Sequence, residues 1–137
     1  MTVLLDTNVL SELRRSDRAN ARVAAWAVSI QPSDMFLSAI TMLEIETGVL
    51  LLQRRDKQQA GILRAWIDEE VLPTFEGRIL AVDTAVAQRC AQLQIPDRRP
   101  HLDALIGATA LVHRLKLATR NVTDFEGLGL ELINPWA

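Results

Sequence analysis

Val3-Leu4-Leu5-Asp6-Thr7-Asn8 decides the fold. Three consecutive apolar residues stop at an acid, and the acid is followed by two small polar residues. A short, wholly apolar run bounded in this way reads as a strand buried on both faces. Thr7-Asn8 then opens a helix that runs to about Arg14. The same unit recurs along the chain. Met35-Phe36-Leu37-Ser38 reads as a second strand and precedes a long helix from about Thr41 to Arg54. Ile79-Leu80-Ala81-Val82 reads as a third strand, with Asp83 as N-cap of the helix that carries Val86, Cys90 and Leu93. Leu117-Ala118-Thr119 and Leu130-Glu131-Leu132-Ile133 read as the fourth and fifth.

The intervening segments carry helical periodicity. Val23, Trp26, Ala27 and Ile30 share one face of a helix that Gln31-Pro32-Ser33-Asp34 ends. Ile62, Leu63, Trp66, Ile67 and Glu70 place another from about Lys57 to Val71, with Pro73 as its stop. Pro96 and Pro100 bracket a basic loop, and a helix from about His101 to Leu115 follows. Strands alternate with helices, and the strands are short and almost wholly apolar. The pattern predicts an α/β fold, a central parallel five-stranded sheet flanked by helices.

The chain has 137 residues, 49% of them apolar and 23% charged. That fits a single domain spanning 1–137, able to bury roughly two thirds of its unfolded surface without disulfides. The one cysteine, Cys90, has no internal partner. The N-terminus lacks the basic and long apolar regions of a signal peptide, and no apolar run approaches the ~20 residues of a membrane span. The expectation is a cytoplasmic protein without membrane contact. Net charge is −2, which argues against a nonspecific nucleic-acid coat. The Arg14-Arg15, Arg54-Arg55 and Arg98-Arg99 clusters read first as solvated helix ends or loops.

In parallel α/β sheets, sites collect at the carboxyl ends of the strands. Asp6 ends the first strand. Glu44 falls in the first turn of the helix after the second, and Asp124 in the loop after the fourth. Asp103 lies in the first turn of another helix, on a face shared with the small residues Gly107 and Ala110. Each acid has a structural reading of its own. Asp6 can cap the helix behind it. Thr41-Met42-Leu43-Glu44 matches a capping box. Asp103 favours a helix dipole, and Asp124 can open a turn. Together on one edge they repel, and a fold has no structural need to gather them. A hard divalent cation supplies the need, since Mg²⁺ prefers oxygen ligands. No Ser–His pair stands out, neither His101 nor His113 has zinc-like spacing, and His113 reads as a structural residue on an apolar helix face.

These segments resemble PIN domains, in order and over essentially the whole chain. Val3-Leu4-Leu5-Asp6-Thr7-Asn8 resembles the family's opening, and Ser38 to Ile45 its second motif. Asp103-Ala104-Leu105-Ile106-Gly107-Ala108-Thr109-Ala110 resembles the third, and Leu117 to Phe125 the fourth. Leu10-Ser11-Glu12-Leu13 and Thr119-Arg120-Asn121-Val122 are most similar to the VapC toxins, in particular the FitB-like branch. The resemblance implies an Mg²⁺- or Mn²⁺-dependent ribonuclease, a homodimer, and a small cognate antitoxin that blocks the site. It implies Asp6, Glu44, Asp103 and Asp124 as metal-site and catalytic acids, with Thr7, Asn8, Thr119 and Asn121 in support. Asn121 departs from the aspartate common in the family. A haloacid-dehalogenase-like phosphatase also opens on a strand and an aspartate, but usually has a second aspartate where this chain has Asn8. A non-catalytic PIN-fold binding module is the other alternative, and four intact acids argue against a degenerate site.

Overall fold

The computed structural model describes residues 1–15 and 17–137. Five strands form one sheet: β1 (Val3–Leu5), β2 (Met35–Ser38), β3 (Ile79–Leu80), β4 (Lys116–Ala118) and β5 (Leu132–Ile133). Their spatial order is β3-β2-β1-β4-β5, and every pairing is parallel. The α/β reading therefore holds, and the apolar strands have the reason expected of them. Val3, Leu4 and Leu5 are completely buried because helices cover both faces.

Alternation along β1 divides the core. Val3 and Leu5 pack with Leu37, Ile45, Val49, Ile67 and Val71 on one face. Leu4 points the other way, into a cluster with Ile106, Leu117 and Phe125. The helices are α1 (Thr7–Leu13), α2 (Ala21–Val28), α3 (Ala39–Gln53), α4 (Lys57–Trp66), a short α5 (Leu72–Thr74), α6 (Thr84–Leu93) and α7 (His101–Val112). Asp83 caps α6 as expected, its carboxylate accepting from the Val86 N–H at 3.0 Å. Gly107 of α7 lies against the segment after β4: a Cβ there would stand 3.2 Å from Leu128. No helix among the described residues is long and apolar enough to cross a membrane.

Several boundaries differ from the sequence reading, each for a local reason. β3 stops at Leu80 rather than Val82. Leu80 pairs with Ser38, and beyond Ser38 its partner strand has become a helix, so Ala81 and Val82 have no ladder to join. β5 shortens for the same reason, because β4 offers it only Leu117 and Ala118. The helix from Lys57 does not run evenly to Val71. It widens into a π turn over Ile67–Val71 and continues through Pro73 to Thr74. A proline ring collides with the carbonyl four residues back, and a widened turn relieves that collision. α7 ends at Val112 rather than Leu115, since Arg114 turns left-handed at φ 57° and sends Leu115 into the core. His113 is exposed at this helix end, not packed on an apolar face.

Phe125 is 1% exposed and anchors the turn after β4 beneath α7. Phe125→Ala is expected to lower stability by about 3–5 kcal/mol, the usual range for emptying a buried aromatic position. Denaturant unfolding measures it. A loss under about 1 kcal/mol would mean that the site collapses around the smaller side chain.

Candidate functional site

The chain builds β1, β2 and β3 toward one side of the sheet and then places β4 and β5 on the other. The order thus reverses between β1 and β4, and in parallel sheets sites collect beyond the carboxyl ends of the strands at such a reversal. Asp6 leaves β1 at this point and Thr119 leaves β4. The Asp6 N–H continues the ladder to the Ala118 carbonyl at 2.9 Å, which fixes the two residues side by side.

The Asp6 carboxylate is held from three directions. The Thr119 hydroxyl donates to Oδ2 at 2.7 Å, the Thr7 backbone N–H to Oδ1 at 2.8 Å, and the Asn8 side-chain amide to Oδ2 at 3.4 Å. Asn8 is braced in turn by the Arg120 N–H on its carbonyl oxygen, and Thr119 by the Asn121 N–H. Asp6 does stand at the N-cap of α1, but it takes the N–H of the next residue rather than one further into the helix. A side chain serving only as a cap would reach the second or third helical N–H. Asp6 is 6% exposed. Its carboxyl is raised above the ordinary value, by burial first and by the charges of Glu44 and Asp124, against the downward pull of the Thr119 and Thr7 hydrogen bonds.

The capping-box reading of Glu44 is overturned. α3 starts at Ala39, its N-cap is Ser38, and the Ser38 hydroxyl accepts from the Ile40 N–H at 3.0 Å. Thr41 is already helical and Glu44 lies in the second turn, out of reach of the helix start. Its carboxylate instead accepts from the Thr7 hydroxyl at 2.6 Å. Thr7 Oγ1 also lies 3.1 Å from Thr41 Oγ1. A hydroxyl has one proton, and the shorter, charge-assisted contact claims it, so Thr41 serves as donor to Thr7. This Thr41–Thr7–Glu44 chain ties α3 to the exit of β1. Thr7 thus serves two acids: its backbone N–H holds Asp6 and its side chain holds Glu44.

Asp103 sits in the first turn of α7, half-buried. Its carboxyl is raised by burial first, then by the charges of Asp6 and Asp124. Asp124 is exposed on a 3-10 turn, Val122–Phe125. That turn has a strut absent from the sequence reading. Arg99, in the loop before α7, donates to the Asp124 and Glu126 carbonyls at 3.4 and 3.2 Å, and its own N–H is held by Gln94 at 2.8 Å. Asn121 is exposed, and its side chain makes no cap bond to the turn.

Asp6 therefore links the acids, feeling the charges of Glu44 and Asp124, while Asp103 feels those of Asp6 and Asp124. Among the described residues, none of them forms an ion pair, although Arg64, Lys116 and the N-terminus pair with other acids. Nor, among those residues, do three Asp, Glu, His or Cys side chains close into a ready-made metal cage. The arrangement is an open set of oxygen donors around one buried carboxylate.

Comparison with known proteins agrees with the fold. The PIN-domain family profile matches residues 3–127. Toxin FitB of Neisseria gonorrhoeae is 39% identical, with 98% of each chain covered. A VapC ribonuclease of Sinorhizobium fredii is 34% identical, over 98% of this chain and 97% of that one. The crystal structure of FitAcB from Neisseria gonorrhoeae superposes with a TM-score of 0.89 at 38% identity, covering 98% of this chain and 99% of that one. The strand order, the acid edge and the profile lead to one assignment: this chain belongs to the PIN-domain family.

Proposed function

We propose that the chain is the toxin component of a type II toxin–antitoxin system, a Mg²⁺- or Mn²⁺-dependent ribonuclease that hydrolyses RNA phosphodiester bonds. The observation that carries this reading is that Asp6 feels the charges of Glu44 and Asp124, and Asp103 those of Asp6 and Asp124, with no ion pair to any of the four among the described residues. The names of the relatives, a toxin and a VapC ribonuclease, support the activity. A FitAB structure bound to a DNA fragment, 37% identical with a TM-score of 0.88, supports a cognate antitoxin as partner. A homodimeric, cytoplasmic protein belongs to the same reading.

The residues fit a hard cation. All four donors are carboxylates, and their mutual repulsion and the burial of Asp6 are relieved by positive charge. The open geometry leaves room for the waters that Mg²⁺ retains. When bound, the cation supplies charge neutralisation at the phosphoryl oxygens, an acidified water and support for the leaving oxygen. Asp6 offers the central oxygen, oriented by Thr119, Thr7 and Asn8. Asp103 and Asp124 complete the donor set, directly or through water, with Arg99 fixing the turn that carries Asp124. Glu44, aimed by Thr7, donates an oxygen or orients the attacking water. Asn121 brings an uncharged oxygen to the position where an aspartate is common.

RNA cleavage by the purified chain is expected to require Mg²⁺ or Mn²⁺ and to stop in EDTA. Full activity after exhaustive chelation would sink the reading.

A further inference from the structure

An acidic edge repels the phosphates of its own substrate. A nuclease of the kind proposed above therefore needs fixed cations beside the acids, and this inference rests on that reading. Three arginines have their guanidinium groups committed within the fold. Arg64 is committed to Glu46 and Asp68, Arg78 to the carbonyls of Pro32, Met35 and Thr74, and Arg99 to those of Asp124 and Glu126. Arg14 and Arg120 differ. Both are exposed, and among the described residues neither guanidinium makes a hydrogen bond or an ion pair. Yet each is seated on an indole: Arg14 lies 5.8 Å from the centre of Trp66, and Arg120 lies 5.2 Å from that of Trp136.

Both pairs adjoin the acids, from different elements. Arg14 and Trp66 line a cavity of about 220 Å³ whose wall is shared with Thr7 and Glu44. Arg120 follows Thr119 directly, and its N–H is bonded to Asn8, which in turn donates to Asp6. We propose that Arg14 on Trp66 and Arg120 on Trp136 are two phosphate clamps, holding the nucleotides that flank the scissile bond in single-stranded RNA. Stacking on an indole removes much of the side chain's freedom and leaves guanidinium N–H groups for phosphate oxygens. The clamps supply the attraction that the acids lack and fix the strand's register across them.

Salt dependence tests the clamps. A non-cleaving Asp6→Asn protein is titrated with a fluorescein-labelled, mixed-sequence 12-nucleotide single-stranded RNA between about 50 and 200 mM salt. Adding Arg14→Gln or Arg120→Gln is expected to weaken binding and to flatten the slope of log affinity against log salt by about 0.7 each. The double change should flatten it by about 1.4. Arg55→Gln, in the turn just past the end of α3, should leave the slope unchanged. Trp136→Phe should retain affinity that Trp136→Leu loses, since phenylalanine keeps an aromatic face. In the otherwise wild-type protein, either arginine change should raise KM for the same RNA more than it lowers kcat. Unaltered salt slopes in folded variants, with or without weakened antitoxin binding, overturn the clamps while leaving the nuclease reading intact. An RNA that the wild-type chain neither binds nor cleaves in Mg²⁺ counts against the nuclease reading itself.

Discussion

Asp6→Asn is expected to abolish RNA cleavage and, in the absence of metal, to raise the stability of the protein. The change keeps size and shape but removes the charge at the most buried of the four acids. The Thr7 N–H can still donate to an amide oxygen, so the start of α1 should survive. What disappears is the anionic oxygen around which the proposed site is organised, and the loss should exceed about 100-fold in kcat. The stability effect follows from the raised carboxyl. Asp6 has a folded-state pKa above its ordinary value near 3.8. In that window the folded protein binds more protons than the unfolded chain, so the contribution of Asp6 to stability falls as pH rises from about 3.8 through the folded value. Asp103 has the same sign, and part of its shift comes from Asp6. Glu46, lowered by Arg64, has the opposite sign and is common to both proteins. The informative quantity is therefore the difference between variant and wild type. Metal-free melting temperatures should diverge in favour of Asp6→Asn as pH is raised from about 4 to 7. Added Mg²⁺ should narrow the gap by stabilising only the wild type. Near-normal turnover in the variant would remove Asp6 from the centre of the site, whatever the melting curves show.

The backbone frame was legible because it depends on local patterns. Val3-Leu4-Leu5 has no polar face, so only a doubly covered sheet can hold it, and the placement of Asp6 at the strand's end follows from chain order alone. The ends of β3 and β5 were not legible, because each stops where its neighbour stops, and that is a property of pairing. The site divides in the same way. Which acids reach the edge follows from strand and helix order. Which donor holds which oxygen does not. Thr41 and Glu44 have the spacing of a capping box, and only the position of Ser38 in three dimensions shows that the helix has already begun. Thr7 and Glu44 are bonded across 37 residues, and Arg99 and Asp124 across 25. No periodicity carries such pairings. The seating of Arg14 and Arg120 on tryptophans is likewise long-range. In sequence Arg14 reads as surface charge and Arg120 only as part of a motif, and it is their tryptophan partners that distinguish them.

Glu44→Gln separates charge from position more cleanly than any other change at this edge. Glutamine can accept the same hydrogen bond from Thr7, so α3 and its link to the exit of β1 should persist and the melting temperature should stay near wild type. A cap role, had it existed, would also have tolerated glutamine. The structure removes that role, since Ser38 caps the helix and Glu44 lies one turn further on. The carboxylate is thus left with one evident partner, a hydroxyl that aims it, and with the neighbouring charge of Asp6. The tie to Thr7 needs only an acceptor oxygen, so the negative charge itself brings no structural gain to offset its repulsion with Asp6. If the charge serves the chemistry, Glu44→Gln should slow cleavage about 100-fold and shift half-maximal activity to higher Mg²⁺. Thr7→Val keeps the charge and removes the aim, and it should give a smaller loss, about 10-fold, in the same direction. Combining the two should cost little more than Glu44→Gln alone, because the hydroxyl then has no charged group left to orient. Wild-type cleavage by Glu44→Gln under limiting Mg²⁺ would show that the charge is dispensable. A Thr7→Val loss fully additive to that of Glu44→Gln would show that the Thr7 hydroxyl does not act through Glu44.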